Sequence, residues 1–310
     1  GLTYSKHGPD GNLFELNATS GALSFLQEPD HENPSDANGD GVYELIVAVS
    51  DGSLSASRTV SISTADLFED NWVGIVAPDR EMGDQFGSAL AQSENLIAIS
   101  AREDDLNGTV DVGSVYLFRK EGGGLVPTDK IVPAEYSEND LFGQSLFLSG
   151  RLLTVGHTHA DPNGMSLAGA AYRYEVGEGD QASFIETVLA PDGQQMDIFG
   201  AKVSQAGNLI SIVAPYADPD GKSKAGAAYV YHVQLDGMAT NLAKLVAPDG
   251  GPDDQFGNQV SQAGNLLAIG AHKAEVLGEA KAGAVYLYRV ESNGSIALLT
   301  KLTSPDNEAS

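Results

Sequence analysis

The stretch that decides the fold is FGNQVSQAGNLLAIGA at residues 256–271, because the chain contains it nearly twice. Residues 199–214 have the sequence FGAKVSQAGNLISIVA, and the pair Phe-Gly occurs four times at spacings of 56, 57 and 57 residues. The four pairs begin at Phe86, Phe142, Phe199 and Phe256. A period of this length predicts a repeat architecture in which each copy forms one structural unit.

Each unit contains four short segments in which small residues alternate with β-branched or aromatic ones. In the fourth unit these segments are 257–262, 266–271, 284–290 and 297–304. A period near two predicts β-strands, and four strands in each repeat predict one blade of a β-propeller. Because a lone four-stranded sheet has two apolar faces, it must stack against neighbouring blades. We therefore predict an all-β fold with four complete blades, preceded by a lone strand at 72–77.

The composition restricts the classes of partner. Of 310 residues, 43 are Asp or Glu and 17 are Lys or Arg, which gives a formal net charge of −26. Such a surface repels nucleic acid and anionic membranes and attracts cations. No apolar run approaches the roughly 20 residues of a membrane helix, so no membrane insertion is expected. The absence of cysteine excludes disulfides and thiolate metal sites.

The repeated phrases resemble FG-GAP repeats, the module of integrin α-subunit propellers and of many bacterial surface proteins. The resemblance rests on Phe-Gly, on Gly-Ala at 270–271 and on Gly-Ala-Val-Tyr at 283–286, and it covers residues 70–306. It implies a propeller domain at 66–310 that is part of a ring of about seven blades. Where integrin-type repeats carry a calcium loop, this chain has short hairpins without carboxylates, so that calcium site is not carried over.

Residues 1–65 lack the Phe-Gly phrases and alternate as five strands at 2–5, 12–16, 22–26, 43–50 and 55–63. With the acidic segment 30–40, this part resembles the bacterial cadherin-like module. The resemblance implies an Ig-like β-sandwich at 1–65 whose N-terminal strands are missing. The chain begins with Gly1 rather than Met, which indicates a processed product or an excerpt of a longer protein.

The acidic segment 30–40 is the strongest metal candidate. Oxygen-bearing side chains stand at every second position from 36 to 40, and glycines allow the chain to bend. Calcium prefers about six to eight such oxygen ligands. The alternative is an acidic, solvated turn. The predicted calcium ligands are Asp30, Glu32, Asp36, Asn38, Asp40 and Asp51.

Two propeller loops between the second and third strands of their units are further calcium candidates. The segments 161–164 and 218–221 have the sequences DPNG and DPDG. Their predicted ligands are Asp161, Asn163, Asp218 and Asp220. The alternative is that these residues are favoured because they tolerate tight turns. The acidic character fades in the fourth unit, which argues against one ion in every blade.

Catalytic motifs are absent from the sequence. It contains no nucleophile elbow, Walker loop or dinucleotide fingerprint. His157 and His159 share one strand face with Asp161 nearby, which would suit zinc, but a third ligand is not apparent. The sequence therefore predicts a non-catalytic protein without catalytic residues.

Together these features predict a segment of a secreted or cell-surface bacterial adhesin, or of an extracellular structural protein. The N-terminal module would be an extender stiffened by calcium, and the propeller would bind a cell-surface or matrix protein or a glycan. Three alternatives stay open: a glycan-binding propeller, an accessory domain of an extracellular hydrolase, and a filament subunit that self-associates by strand addition.

Overall fold

The computed structural model of the protein describes residues 1–30, 34–63, 74–234 and 237–304. The chain divides into two compact units, Gly1–Val73 and Gly74–Ser310. The boundary predicted between residues 65 and 66 falls outside the described residues. Within those ranges, no helix is long and apolar enough to cross a membrane. Helical structure there is limited to three turns of 3-10 helix, Gly11–Leu13, Pro162–Gly164 and Pro219–Gly221.

The N-terminal unit contains two small antiparallel sheets. Phe14, Tyr43 and Leu45 are buried between them, and the ring of Phe25 lies 4.3 Å from that of Phe14. The strands occupy the segments that the alternation predicted. In the larger sheet the order is β1 (Thr3–His7), β4 (Val42–Ser50) and β5 (Ser55–Ser63), and the smaller sheet pairs β2 (Phe14–Leu16) with β3 (Leu23–Phe25).

The second unit contains four antiparallel sheets of four strands each, in the order of the chain, which confirms the predicted propeller blades. Blade 1 is β6 (Phe86–Ser93), β7 (Leu96–Ala101), β8 (Ser114–Glu121) and β9 (Gly124–Ile131). Blade 2 is β10 (Ser145–Ser149), β11 (Leu152–His157), β12 (Ala170–Val176) and β13 (Ala182–Val188). Blade 3 is β14 (Val203–Ala206), β15 (Leu209–Ala214), β16 (Ala227–Val233) and β17 (Ala239–Leu245). Blade 4 is β18 (Phe256–Ala263), β19 (Leu266–Ala271), β20 (Ala284–Val290) and β21 (Ile296–Thr303).

The hydrophobic core lies between successive blades. In β16, Ala228 and Val230 pack against Phe256 of blade 4, whereas Tyr229 and Tyr231 pack on the opposite face with Phe199 of their own blade. Because side chains alternate between the two faces of a strand, a small–large alternation in sequence gives each blade a flat face and an aromatic face.

Every internal junction between blades uses the same backbone contact. Three amides that lead into each Phe-Gly donate to three carbonyls of the preceding blade, at 2.8–3.1 Å. The glycine beside those carbonyls has a positive φ and lies directly under the next Phe. At Gly226, with φ +86°, an added Cβ would lie 2.1 Å from the Phe256 carbonyl oxygen, so only glycine fits.

One predicted strand is absent. Residues 72 and 73 lie outside the described residues, and 74–77 form no strand. This segment instead places Ala77 against the core of blade 1, as the segments ahead of the later Phe-Gly pairs do in their blades. The size of a complete ring stays a prediction.

Candidate functional site

The acidic loop of the N-terminal unit is held by its own backbone. The carboxylate of Asp36 accepts hydrogen bonds from the amides of Asp40 and Gly41, at 3.0 and 3.1 Å. The carboxylate of Asp40 accepts one from the amide of Val42 at 2.8 Å and one from the side-chain amide of Asn38 at 2.9 Å. Burial alone would raise the pKa of Asp36, but these amides hold it below its ordinary value. Asp36 is therefore ionised at neutral pH.

Asp10 contacts this loop from a distant position in the sequence, and the prediction did not include it. Its buried carboxylate accepts hydrogen bonds from the amides of Ala37 and Glu44, both at 2.6 Å. Twenty-seven residues separate Asp10 from Ala37 in the chain, and no repeat of the pattern points to the contact. A buried acid thus fixes the loop to the start of β4.

Asp51 lies away from this loop, which corrects the predicted single set of ligands. It follows β4, whose nine residues span roughly 30 Å when extended. Its carboxylate caps the next turn by accepting the amides of Ser53 and Leu54, both at 2.8 Å. Asp51 and Asp40 cannot share one ion. Asp30 is exposed, and Glu32 lies outside the described residues.

The two propeller loops proposed for calcium use their acids as turn residues. The carboxylates of Asp161 and Asp218 accept the amides of Leu167 and Lys224, both at 2.7 Å. Asn163 and Asp220 have positive φ values of 56° and 54°, which these residue types tolerate best after glycine. Across the described ranges, no group of three or more His, Asp or Glu side chains is placed to hold a metal ion. Calcium binding stays a prediction.

A Tyr–Asp–Lys contact recurs in blades 1, 3 and 4. In blade 3, the hydroxyl of Tyr229 donates to Asp192 at 2.7 Å, and Nζ of Lys244 binds the other carboxylate oxygen at 2.6 Å. The same ammonium lies 5.5 Å from the centre of the Tyr229 ring. The equivalent residues are Asp79, Tyr116 and Lys130 in blade 1, and Asp249, Tyr286 and Lys301 in blade 4.

This contact sets the protonation states of its aspartates and tyrosines. Burial would raise the pKa of Asp192, but the hydrogen bonds from Lys244 and Tyr229 bring it below its ordinary value. Burial and the neighbouring Asp79 raise the pKa of Tyr116 to about 12. The aspartates are thus ionised and the tyrosines neutral at physiological pH.

An acidic cavity of about 520 Å³ opens beside this contact in blade 3. Burial and the charge of Asp218 raise the pKa of Asp197, which indicates that its carboxylate is not fully compensated. Among the described residues that line the cavity, Lys244 is the one cation, and it is already bound to Asp192. The carboxylates that line it are Asp192, Asp197, Asp218 and Asp220.

Blade 2 departs from this pattern. The positions of the Asp and Lys hold Glu135 and Thr187, and His157 stands where blades 1, 3 and 4 have alanine. His157 is 1% exposed, and neither ring nitrogen has a hydrogen-bond partner in the described structure. Its ring packs against Phe142 and Tyr172, at 5.5 and 5.7 Å between centres. Burial lowers the pKa of His157 to about 4, so the imidazole is neutral.

The FG-GAP repeat family matches residues 73–118, 183–231 and 239–288. The chain contains FG-GAP repeats. The matched ranges include most of FG-GAP blades 1, 3 and 4. They leave out residues 119–182, which contain most of the divergent blade 2. No curated protein sequence matches the chain.

Solved structures of similar fold include a protein from Lactobacillus plantarum and the periplasmic gluconolactonase of Pseudomonas aeruginosa. The first is 11% identical with a TM-score of 0.48, and the match covers 86% of this chain and 64% of that one. The second is 13% identical with a TM-score of 0.49, and the match covers 86% and 66%. The chain thus spans about two thirds of the length of each, and the likeness concerns the fold alone.

The prediction of a non-catalytic protein is corrected here, since the sequence gives no ground to exclude an enzyme. The prediction rested on the absence of short catalytic motifs. A propeller can assemble a site from single residues on separate loops, which leaves no local motif in the sequence. We therefore withdraw that prediction.

Proposed function

We propose that the FG-GAP propeller is the ligand-binding platform of a secreted or cell-surface protein, and that the acidic cavity of blade 3 binds a basic group of a protein partner. The observation that carries this proposal is the charge of the cavity. Four carboxylates line it, and its one lysine is already paired. Carboxylates that lack a counterion in a concave site favour an incoming cation.

The spread of these carboxylates favours an organic cation over a bare ion. Calcium needs its oxygens in a single shell, and the described carboxylates that line this cavity form no such cluster. A guanidinium presents five N–H donors in a fixed plane and bridges carboxylates that stand apart. The net charge of −26 adds long-range attraction for a basic partner. An arginine side chain on an extracellular protein is therefore the ligand that we propose.

Calorimetric titration with an arginine-rich peptide tests this proposal. We expect the double substitution Asp218→Asn and Asp220→Asn to weaken binding by about tenfold or more, a change of roughly 1.4 kcal/mol or more. The matched control is Glu121→Gln with Glu178→Gln, which removes the same charge from exposed positions outside the cavity, at the end of β8 and in the turn after β12. Equal weakening by both pairs would mean that the peptide binds only the general negative charge, and would overturn the cavity as the site.

We also propose that calcium stiffens the N-terminal unit through the acidic loop. The ionised Asp36 and the exposed Asp40 and Asp30 support this proposal. Calcium at about 100 times its dissociation constant would stabilise the folded unit by about 2.7 kcal/mol. Thermal melts with calcium and with a chelator should therefore differ, and Asp36→Asn should remove the difference. Asp51→Asn is the control, since Asp51 lies at the far end of β4; a wild-type melt indifferent to calcium would refute the proposal.

A further inference from the structure

Blades 1, 3 and 4 each hold the ammonium of a lysine over a tyrosine ring, with 5.2–5.5 Å between the nitrogen and the ring centre. The same ammonium lies 2.6–2.7 Å from the carboxylate that accepts the tyrosine hydroxyl. The ring face attracts the cation, and the carboxylate adds an ion pair. We call the ring face and the carboxylate together an ammonium seat. The lysines are Lys130, Lys244 and Lys301, over Tyr116, Tyr229 and Tyr286.

Blade 2 keeps both parts of the ammonium seat but lacks the lysine. Tyr172 provides the ring, and Glu135 stands at the position of the aspartate. The lysine position holds Thr187, which pairs with Tyr172 across the strands β12 and β13. Threonine is short and carries no charge, so this position cannot supply an ammonium. Within the described ranges, no lysine or arginine forms a cation–π contact with Tyr172.

The ring of Tyr172 is accessible, whereas its counterparts are covered. The tyrosines of the other three seats are each 1% exposed, but Tyr172 is only partly buried, and Thr187 beside it is exposed. Two buried side chains, Phe142 and His157, pack against the ring of Tyr172, each at 5.7 Å between centres. The ring is therefore held in position by the core while part of it faces solvent.

Two carboxylates near this ring lack the lysine that accompanies them in blade 3. Burial and the charges of Asp140 and Glu135 raise the pKa of Tyr172, so both carboxylates act on its hydroxyl. Glu135 is exposed and forms no hydrogen bond or ion pair with the described part of the chain. Burial and the charge of Asp161 raise the pKa of Asp140. The surroundings of Tyr172 therefore favour an incoming positive charge.

Phe184 adds an apolar surface beside the seat. It is 57% exposed, and its ring centre lies 6.4 Å from that of Tyr172 and 5.8 Å from that of Tyr174. At the equivalent position blade 3 has Asn241, which pairs with Tyr231 as Phe184 pairs with Tyr174. The aliphatic stem of a long cationic side chain packs well on such a surface while its charged end stays polar.

We propose that blade 2 binds the lysine side chain of a protein partner, with its ammonium over Tyr172 and against Glu135. The occupant follows from the other three blades, in which the same kind of seat holds a lysine ammonium of the chain itself. An ammonium is a compact charge with three donors, so it can face the ring and the carboxylate together. This site shares no residue with the acidic cavity of blade 3 and does not depend on it.

NMR titration of the protein labelled with ¹³C-tyrosine tests the proposal, with n-butylammonium as the probe at constant ionic strength. The ring signal that disappears in Tyr172→Phe is assigned to Tyr172. We expect this signal to shift with the probe and to saturate. Thr187→Lys places a lysine where the other blades have one, so it should weaken probe binding by about tenfold or more.

Ser183→Lys is the matched control, because it adds the same charge at an exposed position of the same strand. We expect it to leave probe binding within about twofold of the wild type, since the added ammonium does not lie opposite Tyr172. Equal weakening by the two lysine variants would mean that the probe responds only to net charge, and would overturn the proposal. A Tyr172 signal that does not shift, or that shifts without saturating, would overturn it as well.

Discussion

Blades 2 and 3 share one backbone frame, meaning the same strands and backbone hydrogen bonds, but they differ in several side chains. Both have four strands, a β-bulge between the third and fourth strands and the same three backbone hydrogen bonds to the following blade. At the position where blade 3 has the small, buried Ala214, blade 2 has His157. Where blade 3 places Lys244 opposite Tyr229 on the neighbouring strand, blade 2 places Thr187 opposite Tyr172.

The difference shows which parts of the repeat are structural and which are free to vary. The glycines and Phe-Gly pairs are fixed by backbone contacts, so they occur in both blades. The residues of the Tyr–Asp–Lys contact interact through their side chains, and a single blade can lose those interactions. Tyr229 is joined to Asp192, whereas no hydrogen bond in the described structure joins Tyr172 to Glu135. Binding chemistry can therefore differ from blade to blade on an unchanged frame.

The largest effect is expected from substitutions that disrupt the backbone contact between a junction glycine and the following Phe. Gly169→Ala and Gly226→Ala should each cost about 4 kcal/mol, because left-handed backbone strain adds to overpacking against a peptide. In both cases the added Cβ would lie 2.1 Å from the carbonyl oxygen of the following Phe. Chemical denaturation measures the loss. In the described structure Gly283 has the same strain but no phenylalanine above it, so Gly283→Ala should cost only about 1 kcal/mol.

The next largest effect is expected from acidic pH, which should lower stability through blade 2 and not through blade 3. Between its ordinary pKa of 6.5 and its folded pKa of about 4, His157 binds a proton only in the unfolded chain. Stability therefore falls as the pH falls through this window, by about 3 kcal/mol when complete. Denaturation at several pH values should show this loss in the wild type and not in His157→Ala, which restores the residue of blade 3. Parallel pH curves for the two proteins would contradict a neutral, buried imidazole.

The smallest effect concerns the tyrosine pair. Tyr229→Phe removes a hydrogen bond from a buried hydroxyl to an ionised carboxylate and should cost about 1 to 2 kcal/mol. Tyr172→Phe removes a hydroxyl that has no such partner in the described part of the chain and should cost less than about 0.5 kcal/mol. Denaturant midpoints of the two variants provide the comparison. Equal costs would mean that the Tyr–Asp–Lys contact contributes no stability beyond ring packing.

Much of the fold was predictable because the same pattern of four strands occurs in four copies. The strands of blade 4 were predicted within two residues of their observed ends, since alternation and turn residues agree in every copy. The single segment 72–77 was wrong because a short apolar run also suits an extended segment that packs under a blade. The number of blades in a complete ring stays a prediction, because no contact among the described residues fixes it.

The candidate site was less predictable, for two different reasons. The Tyr–Asp–Lys contact joins residues 37 positions apart, and an alignment of the repeats would have revealed it because three copies keep it. The contact of Asp10 with Ala37 occurs once, so no internal copy points to it. The assignment of Asp51 to the calcium loop does not hold, because the strand predicted at 43–50 lies between them and an extended strand of that length keeps its ends too far apart for one ion.

Hydrogen–deuterium exchange with and without the arginine-rich peptide tests the central claim most directly, because it observes blades 2 and 3 in one experiment. We predict that the peptide slows exchange in the blade 3 loop 217–224, where Asp218 caps the amide of Lys224. The equivalent blade 2 loop 160–167 should exchange at an unchanged rate. Equal protection of both loops, or protection of neither, would contradict a binding site specific to blade 3.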